Sequence, residues 1–137
     1  MPTPDDWPRT NTNLMIFDNL DTKDQKSMDL IFRYCIRGRK KGITIIFLTP
    51  DYLIVPKFIR RSMNYIILKD IKNAKDLSRI MREHALIPPT QEELIIMYRF
   101  AMKENPFDSF FMIDDFTEDS NLQFRANYTG IGDMVKN

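Results

Sequence analysis

The sequence predicts an α/β fold with a mostly parallel sheet, and three observations predict it. Apolar runs of four to six residues recur at Leu14 to Phe17, Ile43 to Leu48 and Tyr65 to Leu68, the second of them rich in β-branched side chains, a length that suits buried strands and is too short for helices. Between and after them, apolar residues return every three or four positions, the spacing of a helix that packs one face. Strands that alternate with such helices argue for parallel strands joined by crossover helices on the faces of the sheet.

The elements follow in order. Residues Met1 to Thr12 hold Pro2, Pro4 and Pro8, two acids and Trp7 with no strand or helix period, and read as an irregular arm. Asn13-Leu14-Met15-Ile16-Phe17-Asp18 is an apolar run closed by an acid, which predicts a central strand buried on both faces. Thr22-Lys23-Asp24-Gln25 fits a capping box, and Met28, Ile31, Phe32 and Cys35 then share a helical face. Gly38 and Gly42 bracket the helix end, and Ile43 to Leu48 predicts a second buried strand, completing a β-α-β unit. Pro50 and Pro56 mark a loop with a helical turn near Lys57 to Arg61, and Tyr65 to Leu68 predicts a third strand. Asn73 caps a helix whose Leu77, Ile80, Met81 and His84 line one side. Pro88-Pro89 ends it, and Thr90-Gln91-Glu92-Glu93 is a further capping box, opening a helix with Leu94, Met97, Tyr98 and Ala101 on a common face. Phe110 to Ile113 and Leu122 to Tyr128 suggest a terminal pair of strands.

Composition narrows the class. A chain of 137 residues with 43% hydrophobic and 28% charged residues is neither disordered nor a strongly basic nucleic-acid coat, and its length suits one domain that buries roughly 68% of its unfolded surface. The single cysteine, Cys35, cannot form an internal disulfide, and no N-terminal stretch has signal-peptide order, so an intracellular setting is expected and secretion is not. No apolar run approaches the roughly 20 residues of a membrane span. The four glycines, Gly38, Gly42, Gly130 and Gly132, form neither G-x-x-x-x-G-K-[ST] nor G-x-G-x-x-G, so these residues carry no phosphate-cradling glycine loop.

Charge is polarised along a chain whose formal net charge is only +1. Leu30 to Lys69 holds Arg33, Arg37, Arg39, Lys40, Lys41, Lys57, Arg60, Arg61 and Lys69 against Asp51 alone, whereas Glu104 to Asp119 holds six acids and no base. A basic cluster at strand ends suits a phosphate-rich ligand, DNA or nucleotide; a solvated face paired with the acidic segment accounts for it equally.

Several segments together resemble the viral DNA-packaging ATPases of the FtsK/HerA type, found in poxviruses, giant viruses, virophages and polinton-like elements. Leu14-Met15-Ile16-Phe17-Asp18-Asn19 resembles the Walker B strand, Ile36-Arg37-Gly38-Arg39-Lys40-Lys41 the family's R-G-R-[HK] element, and Phe47-Leu48-Thr49-Pro50 its L-[ST]-Q strand end. Val55 to Arg61, Tyr65 to Leu68 and Gln123 to Tyr128 continue in the family's order, so the resemblance covers Asn13 to Tyr128. It implies a partial P-loop-NTPase-like three-layer α/β/α domain whose P-loop strand is missing, the Walker-B-containing half being residues 13–137. It also implies a role in coupling ATP hydrolysis to translocation of double-stranded DNA at a viral assembly site or in infected cytoplasm, in a homo- or hetero-oligomeric ring with a P-loop-bearing subunit or fragment.

By the same resemblance Asp18 takes the Mg²⁺-holding position, Asn19 stands at the water-activating acid and Pro50 at the γ-phosphate-sensing Gln, which leaves Thr49 as the nearest polar group. Asn19 can hydrogen-bond a water but cannot take its proton near neutral pH, and the P-loop would lie before Asn13, so ATP and Mg²⁺ are expected only in a completed site. Arg37, Arg39, Arg60 and Arg61 are the candidates for an arginine finger or for phosphate or DNA contact. The alternative is a catalytically inactive paralogue that binds DNA or a subunit. In this class the resemblance implies a sheet ordered 5-1-4-3-2, with the absent strand between those at Ile43 to Leu48 and Tyr65 to Leu68; without it the two strands either join or leave unpaired edges.

The remaining chemistry-bearing residues read as structural. His84 and Cys35 are too few and too far apart for a zinc set, and Asp114-Asp115, though it imitates a Walker B end, reads as an ordinary strand end.

Overall fold

The computed structural model describes residues 2–8, 12–19, 21–86, 89–103, 105 and 107–130. The chain is an α/β protein that divides into two compact units, Met1–Ser62 and Met63–Asn137, a boundary that falls inside the span 13–137.

In the first unit β1 (Asn13–Asp18) pairs with β2 (Ile43–Leu48) in parallel, from Asn13 opposite Ile43 to Asp18 opposite Leu48. The helix α1 (Gln25–Arg37) makes the crossover, as one helix must to bring two neighbouring strands into the same direction. Its cap is Asp24 and not Thr22: the Asp24 carboxylate accepts from the backbone N–H of Lys26 and of Ser27, satisfying two of the first-turn donors that a helix leaves orphaned. Its buried stripe centres on Ile31 and Tyr34, while Phe32 of the expected face is exposed. Phe17 stacks on Phe47 with ring centroids 5.2 Å apart and meets the edge of the Tyr34 ring at 5.6 Å. Burying a ring of that size contributes about 1.5–3 kcal/mol. Gly38 follows α1, and a Cβ there would lie 2.5 Å from the Tyr34 carbonyl oxygen and 3.2 Å from Ile45 Cδ1, so only glycine fits. Gly42 (φ 66°) then turns the chain into β2 from the left-handed region, which glycine enters without steric cost.

Burial on both faces of β1 and β2 does not hold. Met15, Phe17, Ile43, Ile45 and Phe47 alternate onto one face, whereas Leu14 (52% exposed), Ile16 (50%), Ile46 (40%) and Leu48 (47%) share the other and meet water. An apolar run shows that both faces are greasy and says nothing of whether both are covered. The loop after β2 carries the short helix α2 (Lys57–Ser62), which buries Ile59 and sets Phe58 edge-on to Phe32 at 5.2 Å.

The second unit corrects the expectation of a mostly parallel sheet. The strands β3 (Tyr65–Leu68), β4 (Phe111–Asp114), β5 (Phe124–Ala126) and β6 (Thr129–Gly130) pair in that order, every pair antiparallel. The reason lies in the connection. Two helices in succession, α3 (Ala74–His84) and α4 (Gln91–Met102), join β3 to β4, so the chain reverses into α3, again into α4 and again into β4, and an odd number of reversals returns it against the strand it left. The caps are those expected: Asn73 accepts from Lys75 N–H, and Thr90 with Glu93 forms a reciprocal capping box. Leu77, Ile80 and Met81 of α3, and Leu94, Met97, Tyr98 and Ala101 of α4, are buried. Tyr98 keeps its hydroxyl satisfied inside the core, donating to the Lys69 carbonyl at 2.9 Å and accepting from Ile71 N–H at 2.6 Å, as a buried phenol must.

Candidate functional site

The parallel register of the first unit decides where the expected site residues lie. Asp18 ends β1 opposite Leu48, and the Asn19 N–H donates to the Leu48 carbonyl at 3.0 Å. Asp18, Asn19 and Thr49 therefore gather at the carboxyl ends of two parallel strands, the end at which open α/β sheets place their ligands. Asp18 is exposed. Asn19 holds φ 54°, a left-handed conformation that asparagine tolerates better than most residues, so its identity has a backbone reason independent of any water it could hold. The Thr49 hydroxyl turns into its own loop, donating to the Asp51 carbonyl at 2.9 Å while the Asp51 N–H approaches it at 3.3 Å.

The basic residues lie elsewhere in the same unit. Arg37 is the last residue of α1 and Arg39 opens the 3₁₀ turn before β2, so both stand at the amino end of β2. Six paired positions separate that end from Asp18, roughly 17 Å at the rise of a strand. Within one chain the fold does not bring Arg37 or Arg39 to Asp18. Arg37 Nη1 lies 2.9 Å from Asp5 Oδ2, and Lys41 Nζ lies 3.6 Å from the other oxygen of the same carboxylate; Arg39 is exposed. Arg60 is built into the loop after β2: its guanidinium sits 5.2 Å from the Tyr52 ring centroid and donates from Nη1 to the Val55 carbonyl at 2.5 Å and, more loosely, to that of Leu53 at 3.4 Å. Arg61 is exposed on α2.

Asp5 is the partner that sequence reasoning missed. It comes from a segment with no periodic signal and meets Arg37 across 32 positions. Around it, Pro4 is buried, the Trp7 indole Nε1 donates to Tyr34 Oη at 2.9 Å, and that hydroxyl donates to the Pro2 carbonyl at 2.8 Å. Asp6 accepts from Thr3 N–H at 2.7 Å, which holds its carboxyl below the usual carboxylate range.

Other reactive groups are quiet or occupied. Burial pushes the Cys35 thiol up, only partly offset by a hydrogen bond from Ser62, and a protonated thiol is a poor nucleophile. Asp114 is buried and its carboxylate is fully used: Oδ1 accepts from Phe116 N–H at 3.1 Å and Thr117 N–H at 3.0 Å, and Oδ2 pairs with Arg125. It is a strand end held by its own turn. Asp115 lies 3.8 Å from His84 Nδ1.

Asp18 alone would supply one carboxylate to a metal. Mg²⁺ commonly takes one or two carboxylates and completes its shell with water and substrate phosphates; one exposed carboxylate is compatible with that shell and does not select for it. Among the described residues no three His, Cys, Asp or Glu side chains converge on a metal position, and no helix is long and apolar enough to cross a membrane. Comparison with known proteins finds no family model, no curated protein and no solved structure that matches this chain.

Proposed function

We propose that this chain is the Walker-B-bearing C-terminal portion of a viral genome-packaging ATPase, a part that contacts double-stranded DNA and turns over ATP only where a P-loop-bearing segment completes it in an oligomeric ring. The observation that carries the reading is the β1-α1-β2 unit with Asp18 and Thr49 at the carboxyl ends of its strands and Arg37, Arg39, Lys40 and Lys41 at the opposite end. In a completed site Asp18 would hold Mg²⁺, and the ion would neutralise charge on the β- and γ-phosphates. Asn19 would orient a water without deprotonating it. The roughly 17 Å between the two ends fits a division of labour in which the arginines serve DNA, or the nucleotide of a neighbouring subunit, and not the nucleotide beside Asp18.

A second reading, a catalytically inactive paralogue that binds DNA or a subunit, is favoured by the commitment of Thr49 to its own loop and of Asn19 to a left-handed backbone. The two readings part on hydrolysis. Mixing the chain, as wild type or as Asn19→Asp, with a P-loop-bearing fragment should yield ATPase activity if it is part of a motor, and background rates with both refute that assignment. DNA contact is read separately. Arg37→Ala with Arg39→Ala should lower affinity for duplex DNA and flatten its salt dependence by about 0.9 in slope for each phosphate that is no longer neutralised, and an unchanged slope removes DNA from the reading.

A further inference from the structure

Arg37 and Lys41 share one anion. Their head groups approach the two oxygens of Asp5 at 2.9 and 3.6 Å, and the Lys41 side chain is only 17% exposed. Asp5 does not owe its position to this charge pairing. The buried ring of Pro4 precedes it, the Asp6 carboxylate closes the turn onto Thr3, and the Trp7–Tyr34–Pro2 hydrogen-bond chain fastens the segment on both sides. A carboxylate delivered by independent anchors to two cations, one oxygen to each, has the charge and the paired acceptors that a phosphodiester also offers.

We infer that Arg37 and Lys41 form a site for a backbone phosphate of nucleic acid and that Asp5 is its built-in competitor. This rests on the DNA-contact reading above and adds its regulation: the N-terminal segment must give up the Asp5 pair before both cations engage phosphate. The pair is solvent-exposed at Arg37 and Asp5, and exposed pairs are weak, so Asp5 acts as a graded brake on affinity. Undocking the segment raises affinity without changing the cations.

The test is fluorescence anisotropy with a labelled short DNA duplex across about 50 to 200 mM salt, using wild type, Asp5→Asn and Tyr34→Phe. Asp5→Asn should bind about fivefold more tightly at the low end, with a salt slope steeper by about 0.9 as the two cations together neutralise one more phosphate. Emission from Trp7, the only tryptophan, should stay as in wild type, showing that the segment is still docked. Tyr34→Phe, which cuts the anchor and keeps Asp5, should shift affinity the same way with a changed Trp7 emission.

If Asp5→Asn matches wild type in affinity and slope while the Arg37→Ala, Arg39→Ala double variant binds more weakly, the DNA contact stands and the competitor is refuted. If none of these proteins binds duplex, the DNA reading fails and takes the competitor with it. Inorganic phosphate added at matched ionic strength should displace DNA no better than chloride does. Selective displacement by phosphate would reassign the site to a free oxyanion and overturn the nucleic-acid assignment.

Discussion

Replacing Asp114 with alanine should destabilise the second unit by about 4 kcal/mol, and the structure supplies the parts of that figure. The Asp114 side chain is 5% exposed and that of Arg125 19%, so the pair is shielded from the screening that makes surface ion pairs weak. Removing one partner of a buried pair leaves an uncompensated charge, at a cost of about 3–5 kcal/mol. Arg125 keeps its Nε hydrogen bond to the Leu122 carbonyl at 2.7 Å, which holds the guanidinium in place and places the cost toward the lower end. The Phe116 and Thr117 N–H groups lose their acceptor as well, adding about 1 kcal/mol where water does not replace it. Urea unfolding followed by far-UV circular dichroism measures the change. Asp114→Asn, which keeps an acceptor for the two amides, should cost less, and Asp115→Ala, one residue along and exposed, about 0.5 kcal/mol or less. Equal losses at positions 114 and 115, or a loss below about 1 kcal/mol at 114, would refute the assignment of Asp114 as the pin of this strand end.

Three further outcomes are expected. Gly38→Ala drives a methyl into the Tyr34 carbonyl oxygen and Ile45 and should lower stability by about 1–3 kcal/mol in the same unfolding assay. The Asp24 carboxyl is held below its ordinary 3.8 chiefly by hydrogen bonds from the Ser27 side chain and backbone, so its stabilisation is complete above that value and is lost as pH falls through the folded pKa. Helix signal should fall with acid in that window, and Asp24→Asn, which still caps but cannot titrate, should weaken the dependence. The Cys35 thiol, raised above 9.0 by burial, should react with a disulfide reagent at pH 8 more slowly than a small-molecule thiol, and an equal rate would contradict its burial.

Much of the local structure is legible in the sequence because its causes are local. The cap residues Asn73 and Thr90 sit beside the amides they satisfy, and the apolar runs at 65–68 and 110–113 mark strands in any arrangement, the second one displaced by one residue to Phe111–Asp114. What escapes depends on partners distant in sequence. Tyr34 goes unnoticed in α1 because the 28–31–35 spacing looks sufficient, whereas its ring fills the space under Phe17 and its hydroxyl meets Pro2 and Trp7. A four-residue apolar run does not say whether its neighbour is parallel, so the direction of β4 against β3 stays invisible until the two-helix connection is known to reverse it. At the candidate site, the meeting of Asp18, Asn19 and Thr49 follows from two parallel strands of equal length in register. Their separation from Arg37 and Arg39 follows from the same geometry: the crossover helix ends where the next strand begins. The Asp5–Arg37 pairing, like the Tyr34 contacts, has no antecedent in pattern or spacing.

The open face of the β1-β2 pair has a consequence for mutational tolerance. Leu14, Ile16, Ile46 and Leu48 already keep between 40% and 52% of their surface in water, so a polar residue at any of them forfeits little burial, whereas Phe17, Tyr34 and Ile43 on the covered side forfeit nearly all of theirs. A saturation library selected only for folding should therefore accept serine or lysine at the first four positions and reject them at the other three. Under selection for biological activity, the appearance of intolerance at positions 14, 16, 46 and 48 would be the genetic footprint of a surface that the working assembly covers.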